Sequence, residues 1–403
     1  MNRKIPFSAC LVMILIAVLL TYLMVTVSDE TRYNAAMSDF TVQPLENPKL
    51  VEIEQLVDGY YVKDFDENYL SDSLAYGYVY GLGDPHAGYY TADTYREYIN
   101  SIQGALTGIG IRVTLEELDN GATDRVVIFE VMENSPAKEA GVLPGDIIYS
   151  VEGTLYSKLG YDKAVNMMLG EEGTVLTFEV LRGDRVVEFK ITRKYFDSQT
   201  VSYKKTYAND TIGYIRIYQF TTATISQFKK AVESLRAQGA TKLIFDVRNN
   251  PGGEYVSITS ILDYLLPEGE IIITTDKNGT EKVEKSDSNQ VDMPMVVLAN
   301  EATASAGELF TAALMDYDKA VFIGKTTYGK GTVQKTFPLS DGSAVKFSTE
   351  YYLPPSRVSY DGVGIVPDIE VELSEEAQKR FYLIEEKEDA QLMSAIEYLL
   401  NEK

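Results

Sequence analysis

Residues 294–309, PMVVLANEATASAGEL, place one serine, Ser305, between a short apolar run and a run of helix-forming residues. Residues 295–298 are bulky, favour β structure and are too few for a helix, whereas residues 306–315 carry apolar side chains at helical spacing. The pattern predicts a strand, a tight turn and a helix that begins at Ser305. Free backbone N–H groups at a helix start favour a developing oxyanion. Ser305 is therefore either a nucleophile or an ordinary helix cap.

The composition of the 403 residues limits the possible functions. The length allows two or three domains, and 45% hydrophobic residues are enough for packed cores. A net charge of −23 argues against a nucleic-acid partner, because phosphate contacts need basic patches. The single cysteine, Cys10, excludes a disulfide framework and a cysteine-based zinc site. The single histidine, His86, is the one imidazole for a Ser-His-Asp mechanism or a metal site. No metal or cofactor is implied.

The first 48 residues are predicted to be an anchor and a tether. Arg3 and Lys4 precede the uncharged, apolar residues 5–28, which are long enough to span a bilayer. This stretch is longer than the apolar part of a signal peptide and lacks a clear cleavage site of small residues. We expect one N-terminal transmembrane helix at residues 1–28, with the N-terminus cytoplasmic and the remainder exported. Residues 29–48 are polar and aperiodic, as in a linker.

Residues 49–104 are predicted to form a helical region. Apolar residues recur at a spacing of three and four in LVEIEQLVDGYYV (50–62) and YLSDSLAYGYVYGL (69–82). Asp84 and Pro85 end this pattern. His86, which follows them, is either a base that reaches another domain or a loop residue beside Asp84, and we favour the loop residue.

Residues 105–195 have the pattern of a β-rich domain. Gly108, Ile109, Gly110 and Ile111 open an alternating run, and SPAKEAGVLPGDIIYSVEG follows at residues 135–153. This order resembles a PDZ domain. In such a domain the glycines let backbone N–H groups converge on a peptide carboxylate, and the adjoining strand edge accepts the peptide as an extra strand. The two isoleucines indicate a hydrophobic terminal residue, unless they fill the domain core.

Strands and helices alternate after residue 196. Strands are predicted at 212–220, 242–247, 295–298 and 320–324, and helices at 226–238, up to Leu266 and at 306–315. This alternation predicts a layered α/β core at residues 196–373 with its active loops at the strand ends. Residues 374–403 have the pattern of a charged amphipathic helix or pair, which either packs on the body or pairs with a second subunit in a homodimer.

Four motifs complete the pattern: DVRNNPGG (246–253), NEATASAGEL (300–309), GKTTYGKGTVQ (324–334) and GVGIVPDIEV (362–371). Their order, behind an anchor, a helical segment and a PDZ domain, is similar to that of the carboxyl-terminal processing (tail-specific) serine proteases. The resemblance covers residue 48 to the end and implies an α/β peptidase core with an inserted PDZ domain. The implied site residues are a Ser/Lys pair with a supporting glutamine, and backbone oxyanion donors: Ser305, Lys330, Gln334, Gly252, Gly253 and Ala306. Which of the two glycines donates is left open.

The chemistry implied for Lys330 is plausible on its own terms. A lysine accepts a proton from serine only when neutral, which requires desolvation to lower its pKa from about 10.4. Gly329 and Gly331 are predicted to let the loop lie close to Ser305, and Gln334 is predicted to orient the amine. The sequence thus predicts a membrane-anchored, exported serine endopeptidase that binds protein C-termini. The alternative is a PDZ adaptor with a catalytically silent peptidase fold.

Overall fold

The structure, a computed structural model, describes residues 47–102, 107–116, 124–195 and 199–401. The predicted anchor at residues 1–28 and nearly all of the predicted linker lie outside the described residues. Among the helices that are described, none combines the length and the apolar character needed to cross a bilayer. The chain divides after Leu70 into two compact units.

The first unit contains helix α1 (Pro48–Tyr60), which begins with Asn47 accepting a hydrogen bond from the Lys49 N–H at 3.2 Å. None of the side chains of α1 is buried. Helix α2 comprises Glu67–Tyr80. Strand β1 (Gly88–Tyr90) and helix α3 (Ala92–Ile102) follow. The helices agree with the prediction for residues 49–104, but β1 was not predicted.

The region predicted to be a PDZ domain is an antiparallel sheet with short helices. Its elements in chain order are β2 (Thr107–Gly108), β3 (Ile111–Glu116), β4 (Arg125–Val131), α4 (Pro136–Ala140), β5 (Ile147–Val151), β6 (Thr154–Leu155), α5 (Tyr156–Leu159), α6 (Tyr161–Met168), β7 (Val175–Arg182), β8 (Arg185–Thr192) and β9 (Lys194–Tyr195). The main sheet has the order β3-β4-β5-β7-β8, while β6 pairs with β5 and β2 with β9. Its core includes Ile128, Leu176 and Phe178, each 0% exposed.

The remainder of the chain alternates strands and helices as predicted, with additional strands. Its elements are β10 (Val201–Lys205), β11 (Ile212–Ile217), α7 (Thr222–Ala237), β12 (Lys242–Asp246), α8 (Tyr255–Leu265), β13 (Gly269–Asp276), β14 (Glu281–Ser286), β15 (Met295–Ala299), α9 (Ala306–Asp316), β16 (Ala320–Gly324), β17 (Thr332–Pro338), β18 (Ala344–Leu353), β19 (Ile369–Glu370), α10 (Glu375–Lys379), a 3₁₀ turn (Glu386–Glu388) and α11 (Ala390–Asn401).

The central sheet has the order β10-β11-β12-β15-β16-β19 and is parallel from β11 onward. All five residues of β15 are buried, because alternate side chains enter the apolar clusters on the two faces of the sheet. Helices α7, α8 and α9 cover one face. Helix α11 covers the other through Leu392, Ala395, Ile396 and Leu399. The C-terminal segment therefore packs on the body of the protein, which was one of the two predicted alternatives.

A second sheet, β1-β18-β13-β14 with β17 paired to β18, was not predicted from the sequence. Its strands β17 and β18 are largely of intermediate burial, so they lack the continuous apolar runs that reveal buried strands. This sheet determines where Lys330 and Gln334 lie. Lys330 is in the loop just before β17, and Gln334 lies on β17 itself.

Candidate active site

Ser305 lies in the turn between β15 and α9, as the sequence predicted. Its backbone has φ 55° and ψ −117°, a conformation that non-glycine residues rarely adopt. Such strain persists where surrounding contacts hold it, and it is concentrated at active sites. Ser305 is 7% exposed, and its N–H donates to Glu308 Oε2 at 2.9 Å. The turn therefore presents a constrained, nearly buried serine at a helix N-terminus.

The carboxylate of Glu308 joins the serine turn to the lysine loop. It is completely buried and accepts four hydrogen bonds. Oε2 accepts from the N–H groups of Ser305 and Lys330, at 2.9 and 2.8 Å, and Oε1 accepts from Thr327 Oγ1 and the Gly329 N–H, both at 2.6 Å. Burial raises the pKa of Glu308, while these hydrogen bonds oppose the rise. Because one oxygen accepts from both backbone N–H groups, the serine turn and the lysine loop are held side by side.

The environment of Lys330 favours its neutral form. Burial lowers the pKa of the Lys330 amine, and the nearby positive charge of Lys346 lowers it further. The carboxylates of Asp84 and Glu308 oppose this change. In the described part of the chain, Lys330 Nζ makes no hydrogen bond. The direction of the pKa shift is the one that a lysine needs to act as a base.

The glycines beside Lys330 make room for the loop at residues 359–366. The nearest neighbours of a Cβ added at either glycine belong to that loop. A Cβ on Gly329, which has φ 90°, would lie 2.8 Å from the Gly364 nitrogen, and one on Gly331 would lie 2.8 Å from the Asp361 Cβ. The Gly331 N–H donates to Asp361 Oδ1 at 2.9 Å. The segment that contains the GVGIVPD motif therefore packs against the lysine loop at Gly329 and Gly331.

The two candidate glycines of the oxyanion site differ in the state of their N–H groups. The Gly252 N–H donates to Asn250 Oδ1 at 2.8 Å. The N–H groups of Gly253 and Ala306 contact no acceptor in the described ranges. Gly252 instead lies against the serine turn, since a Cβ on it would be 2.8 Å from Ser305 Cβ. The N–H groups that remain for a substrate oxygen are therefore those of Gly253 and Ala306.

Hydrogen bonds hold the PGG loop and the serine turn together as one unit. The Ala304 N–H donates to the Asn250 carbonyl at 2.9 Å. The Asn249 N–H donates to Asn300 Oδ1, and Asn300 Nδ2 donates to Asn249 Oδ1, both at 2.8 Å. These loops follow β12 and β15, which are neighbours in a parallel sheet, so their carboxyl ends meet at one edge.

Gln334 lies near the lysine loop without contacting the Lys330 amine. Its Nε2 donates to Thr332 Oγ1 at 2.9 Å and to Ser348 Oγ at 3.0 Å. Within the described chain no hydrogen bond joins Gln334 to Lys330. The predicted orienting contact is therefore not present in this conformation, and the amide oxygen is the atom that can still make it.

The Gly108–Ile111 stretch lines a cavity of about 250 Å³ at the edge of the PDZ region. Gly110 has φ 79°, and a Cβ on it would lie 2.2 Å from Ser135 Cβ, so no other residue fits. Ile109 is 3% exposed within the domain core, whereas Ile111 is partly buried. The cavity is further lined by Val165, Met168 and Leu169 of the same region and by Thr200, Tyr218 and Gln219 of the α/β core. Both regions therefore line the space predicted to receive a tail.

A buried ionic cluster beneath the site was not singled out from the sequence. Arg248 donates to both carboxylate oxygens of Asp246 and of Asp389, at 2.6 to 3.0 Å. Burial acts to raise the pKa of Asp246, but Arg248 and Arg216 hold it far below its usual range. The signal in the sequence was a charged pair, DVR, at the end of an otherwise apolar strand. The cluster ties the start of the PGG loop to the C-terminal segment.

Gly252→Ala is expected to lower kcat strongly, because the new Cβ would push on Ser305 and displace the N–H groups of Gly253 and Ala306 that are predicted to hold an oxyanion. Loss of one such donor costs about 10²- to 10³-fold. Gly239→Ala is the matched control, since Gly239 has a similar φ of 91° and nothing within 4 Å of its Cβ position. Steady-state cleavage of dye-labelled casein measures both variants. Equal activity of the two would contradict the assigned place of Gly252.

Comparison with known proteins identifies the families that this chain resembles. The model of peptidase family S41 matches residues 211–371, and a PDZ domain model matches residues 107–192. A probable CtpA-like serine protease of Staphylococcus epidermidis is 30% identical over 366 residues, which cover 89% of this chain and 72% of that protein. A protein of the same description from Staphylococcus aureus is 31% identical over 364 residues, with the same coverage.

Solved structures also match. The photosystem II D1 C-terminal processing protease has a TM-score of 0.50 and 25% identity, over 80% of this chain and 86% of that chain. A putative S41 protease from Bacteroides fragilis has a TM-score of 0.56 and 19% identity, over 74% of this chain and 84% of that chain. At this identity the match shows a similar fold only. The chain belongs to peptidase family S41. It is a serine endopeptidase that carries a PDZ domain, and it is similar to CtpA-like serine proteases.

Proposed function

We propose that the protein is a membrane-anchored, exported endopeptidase that binds C-terminal tails through its PDZ domain and cleaves them by Ser/Lys acyl transfer. The observation that carries the mechanism is the Glu308 oxygen that accepts from the backbones of both Ser305 and Lys330. This oxygen holds the backbone of a strained serine beside the backbone of a lysine whose pKa burial lowers, which supports the proposal. The proposal for the anchor rests on the apolar residues 5–28, and the exported location of the remainder on Arg3 and Lys4 before them.

The proposed reaction begins when Lys330 Nζ, as a neutral amine, takes the proton from Ser305 Oγ while that oxygen attacks the scissile carbonyl carbon. The carbonyl π bond becomes an oxyanion, held by the N–H groups of Gly253 and Ala306. The intermediate collapses, the C–N bond breaks, and the Lys330 ammonium gives its proton to the leaving amine. Water then attacks the acyl-serine and gives a proton to Lys330; the ester C–O bond breaks, the proton passes from Lys330 to Ser305 Oγ, and the new carboxyl end is released.

Gln334 is assigned the role of orienting Lys330. Its amide nitrogen is occupied by Thr332 and Ser348, so the contact with the Lys330 ammonium uses the amide oxygen. In the structure this contact is not formed, and a small rotation of the lysine side chain on substrate binding is part of the proposal.

Binding of a tail is tested with two peptides that differ in their last group, a free carboxylate or an amide. If N–H groups at Gly108–Ile111 bind the carboxylate, amidation removes a charge-assisted hydrogen bond worth about 1.5 to 3 kcal/mol, or roughly ten- to a hundredfold in affinity. Calorimetry on the Ser305→Ala chain measures binding without cleavage. Active enzyme is then given the same pair and is expected to cleave the free acid faster.

The two parts of this experiment separate the alternatives. Equal binding of acid and amide would refute carboxylate capture and leave the Ser305 chemistry untouched. Preferential binding of the acid, with neither peptide nor casein cleaved by the intact protein, would instead favour a PDZ adaptor with a silent peptidase fold. The intact set of Ser305, Lys330 and Glu308, held together by hydrogen bonds, favours the enzyme.

A further inference from the structure

The segment Asp84-Pro85-His86, called here the DPH segment, lies beside the lysine loop. From the sequence it marked the end of a helical region. In the structure it leads into β1, which pairs antiparallel with β18, so that Gly88 lies opposite Lys346. The chain before Gly88 therefore continues alongside β18 toward Ser348.

Asp84 connects to Gln334 through a single residue. Its Oδ2 accepts the Ser348 N–H at 2.8 Å, and its Oδ1 accepts the His86 N–H at 2.9 Å. Ser348 lies opposite Gln334 in the pairing of β18 with β17, and its Oγ accepts from Gln334 Nε2 at 3.0 Å. A continuous row of contacts thus runs from the Asp84 carboxylate through Ser348 to the Gln334 amide.

The charge of the Asp84 carboxylate also acts on the lysine amine. Asp84 and Glu308 raise the pKa of Lys330 against the larger effect of burial and the effect of Lys346. His86 is the other titratable group in the DPH segment. Burial and the charge of Lys330 lower its pKa, while Asp84 and Asp361 act to raise it and Lys346 to lower it. The net effect lowers the pKa of His86, and Asp84 is the group of this segment that places a negative charge near the amine.

We propose that Asp84 is a positioning residue of the reaction: it fixes Ser348, and through it Gln334, and it keeps a negative charge beside Lys330. This inference rests on the proposed Ser/Lys mechanism. It also gives the residues before the PDZ domain a part in the active site. The contact is between residues 264 positions apart in the chain, so it forms only in the folded protein.

The test is the Asp84→Asn variant of the full-length protein, assayed for cleavage of dye-labelled casein as a function of pH. The amide replaces one of the two accepting oxygens with a donor, so Ser348 or His86 loses its partner. Because misplaced catalytic groups cost up to about a hundredfold, kcat is expected to fall about tenfold or more with KM unchanged. The acid limb of the pH profile is expected to move to lower pH, since loss of the negative charge favours the neutral amine. Unchanged kcat and an unchanged acid limb would overturn the proposal.

Ser348→Ala separates the effect of positioning Gln334 from the effect of the Asp84 charge on Lys330. It removes the oxygen that accepts from Gln334 and keeps the N–H that donates to Asp84, so kcat is expected to fall while the acid limb stays in place. Asp72→Asn is the control for loosening of the segment, because Asp72 accepts from Tyr89 Oη at 2.6 Å and has no part in the proposed row. It is expected to retain wild-type kcat and acid limb. If Asp72→Asn reproduces the Asp84→Asn profile, the effect is structural and the proposal fails.

Two further measurements make the outcome decisive. Thermal denaturation establishes that each variant is folded. If Asp84→Asn is not folded, the test is the kcat of Ser348→Ala. A wild-type kcat in that variant would refute the proposed chain of contacts from Asp84 through Ser348 to Gln334. Lys330→Met distinguishes a failure of the Asp84 proposal from a failure of the Ser/Lys mechanism on which it rests. Activity in Lys330→Met would refute the Ser/Lys mechanism itself. An inactive Lys330→Met with wild-type behaviour of Asp84→Asn would refute the role of Asp84 alone.

Discussion

Lys330→Arg is expected to be inactive in protein cleavage, as is Ser305→Ala, although arginine keeps the positive charge and a long side chain. A guanidinium stays protonated at any working pH and cannot accept the serine proton. Loss of a general base costs about 10²- to 10⁴-fold, and loss of a nucleophile in a comparable serine protease about 10⁶-fold in kcat. The measurement is the initial rate of casein cleavage by the full-length protein.

The wild-type rate is expected to rise with pH through the lowered pKa of Lys330. The sign follows from the chemistry: below this pKa the amine is protonated and cannot act as base, and above it the amine is neutral. Burial and Lys346 lower the pKa, so the rise occurs below the range of a solvent-exposed lysine. Chelators are expected to leave the rate unchanged.

Lys325→Arg is the matched control for Lys330→Arg. Lys325 lies in the same loop, but its amine pairs with Glu370 at 2.9 Å and Glu372 at 3.4 Å, which an arginine can also do. Wild-type activity of Lys325→Arg with an inactive Lys330→Arg supports the assignment. Full activity in Lys330→Ala, or loss of all activity in His86→Ala with retention in Lys330→Ala, would move the base from Lys330 to His86.

Glu308→Ala is expected to reduce both stability and activity severely. Four donors lose their acceptor together, and each one that stays buried without a partner costs about 1 to 3 kcal/mol. The strained backbone of Ser305 also loses the contact at its N–H. Urea denaturation of the variant is expected to show a lower free energy of unfolding, and casein cleavage to fall to the level of Ser305→Ala.

Glu308→Gln keeps the shape of the side chain and tests whether the carboxylate is needed. Its amide nitrogen would face two of the four donors, so the lysine loop is expected to separate from the serine turn and kcat to fall. Glu301→Gln is the control, since Glu301 lies in the same segment and is exposed. Its stability and activity are expected to match those of wild type. A fully active Glu308→Gln would contradict the role given to the four hydrogen bonds.

The sequence predicted the local secondary structure because neighbouring residues determine it. The strand before Ser305 and the helix after it follow from a short β-favouring run beside helix formers with apolar residues at helical spacing. The α/β alternation and the PDZ-like order of glycines and apolar residues follow from the same kind of pattern. The motifs pointed to Ser305, Lys330, Gln334 and the PGG loop, although Gly253 and Gly252 were not distinguished.

The relations between those motifs came from long-range contacts that no local pattern encodes. Gly252 and Gly253 differ in whether their N–H group is already hydrogen-bonded, because Asn250 Oδ1 accepts from Gly252 only. This arrangement depends on how the loop after β12 packs against the turn after β15. The second sheet was missed because its strands are half-buried, and with it the pairing that sets Gln334 opposite Ser348. Asp84 and Glu308 read as ordinary acidic residues in the sequence. The role proposed for each depends on folding, which removes water and brings donors from distant parts of the chain to one carboxylate, and this is a property of tertiary packing.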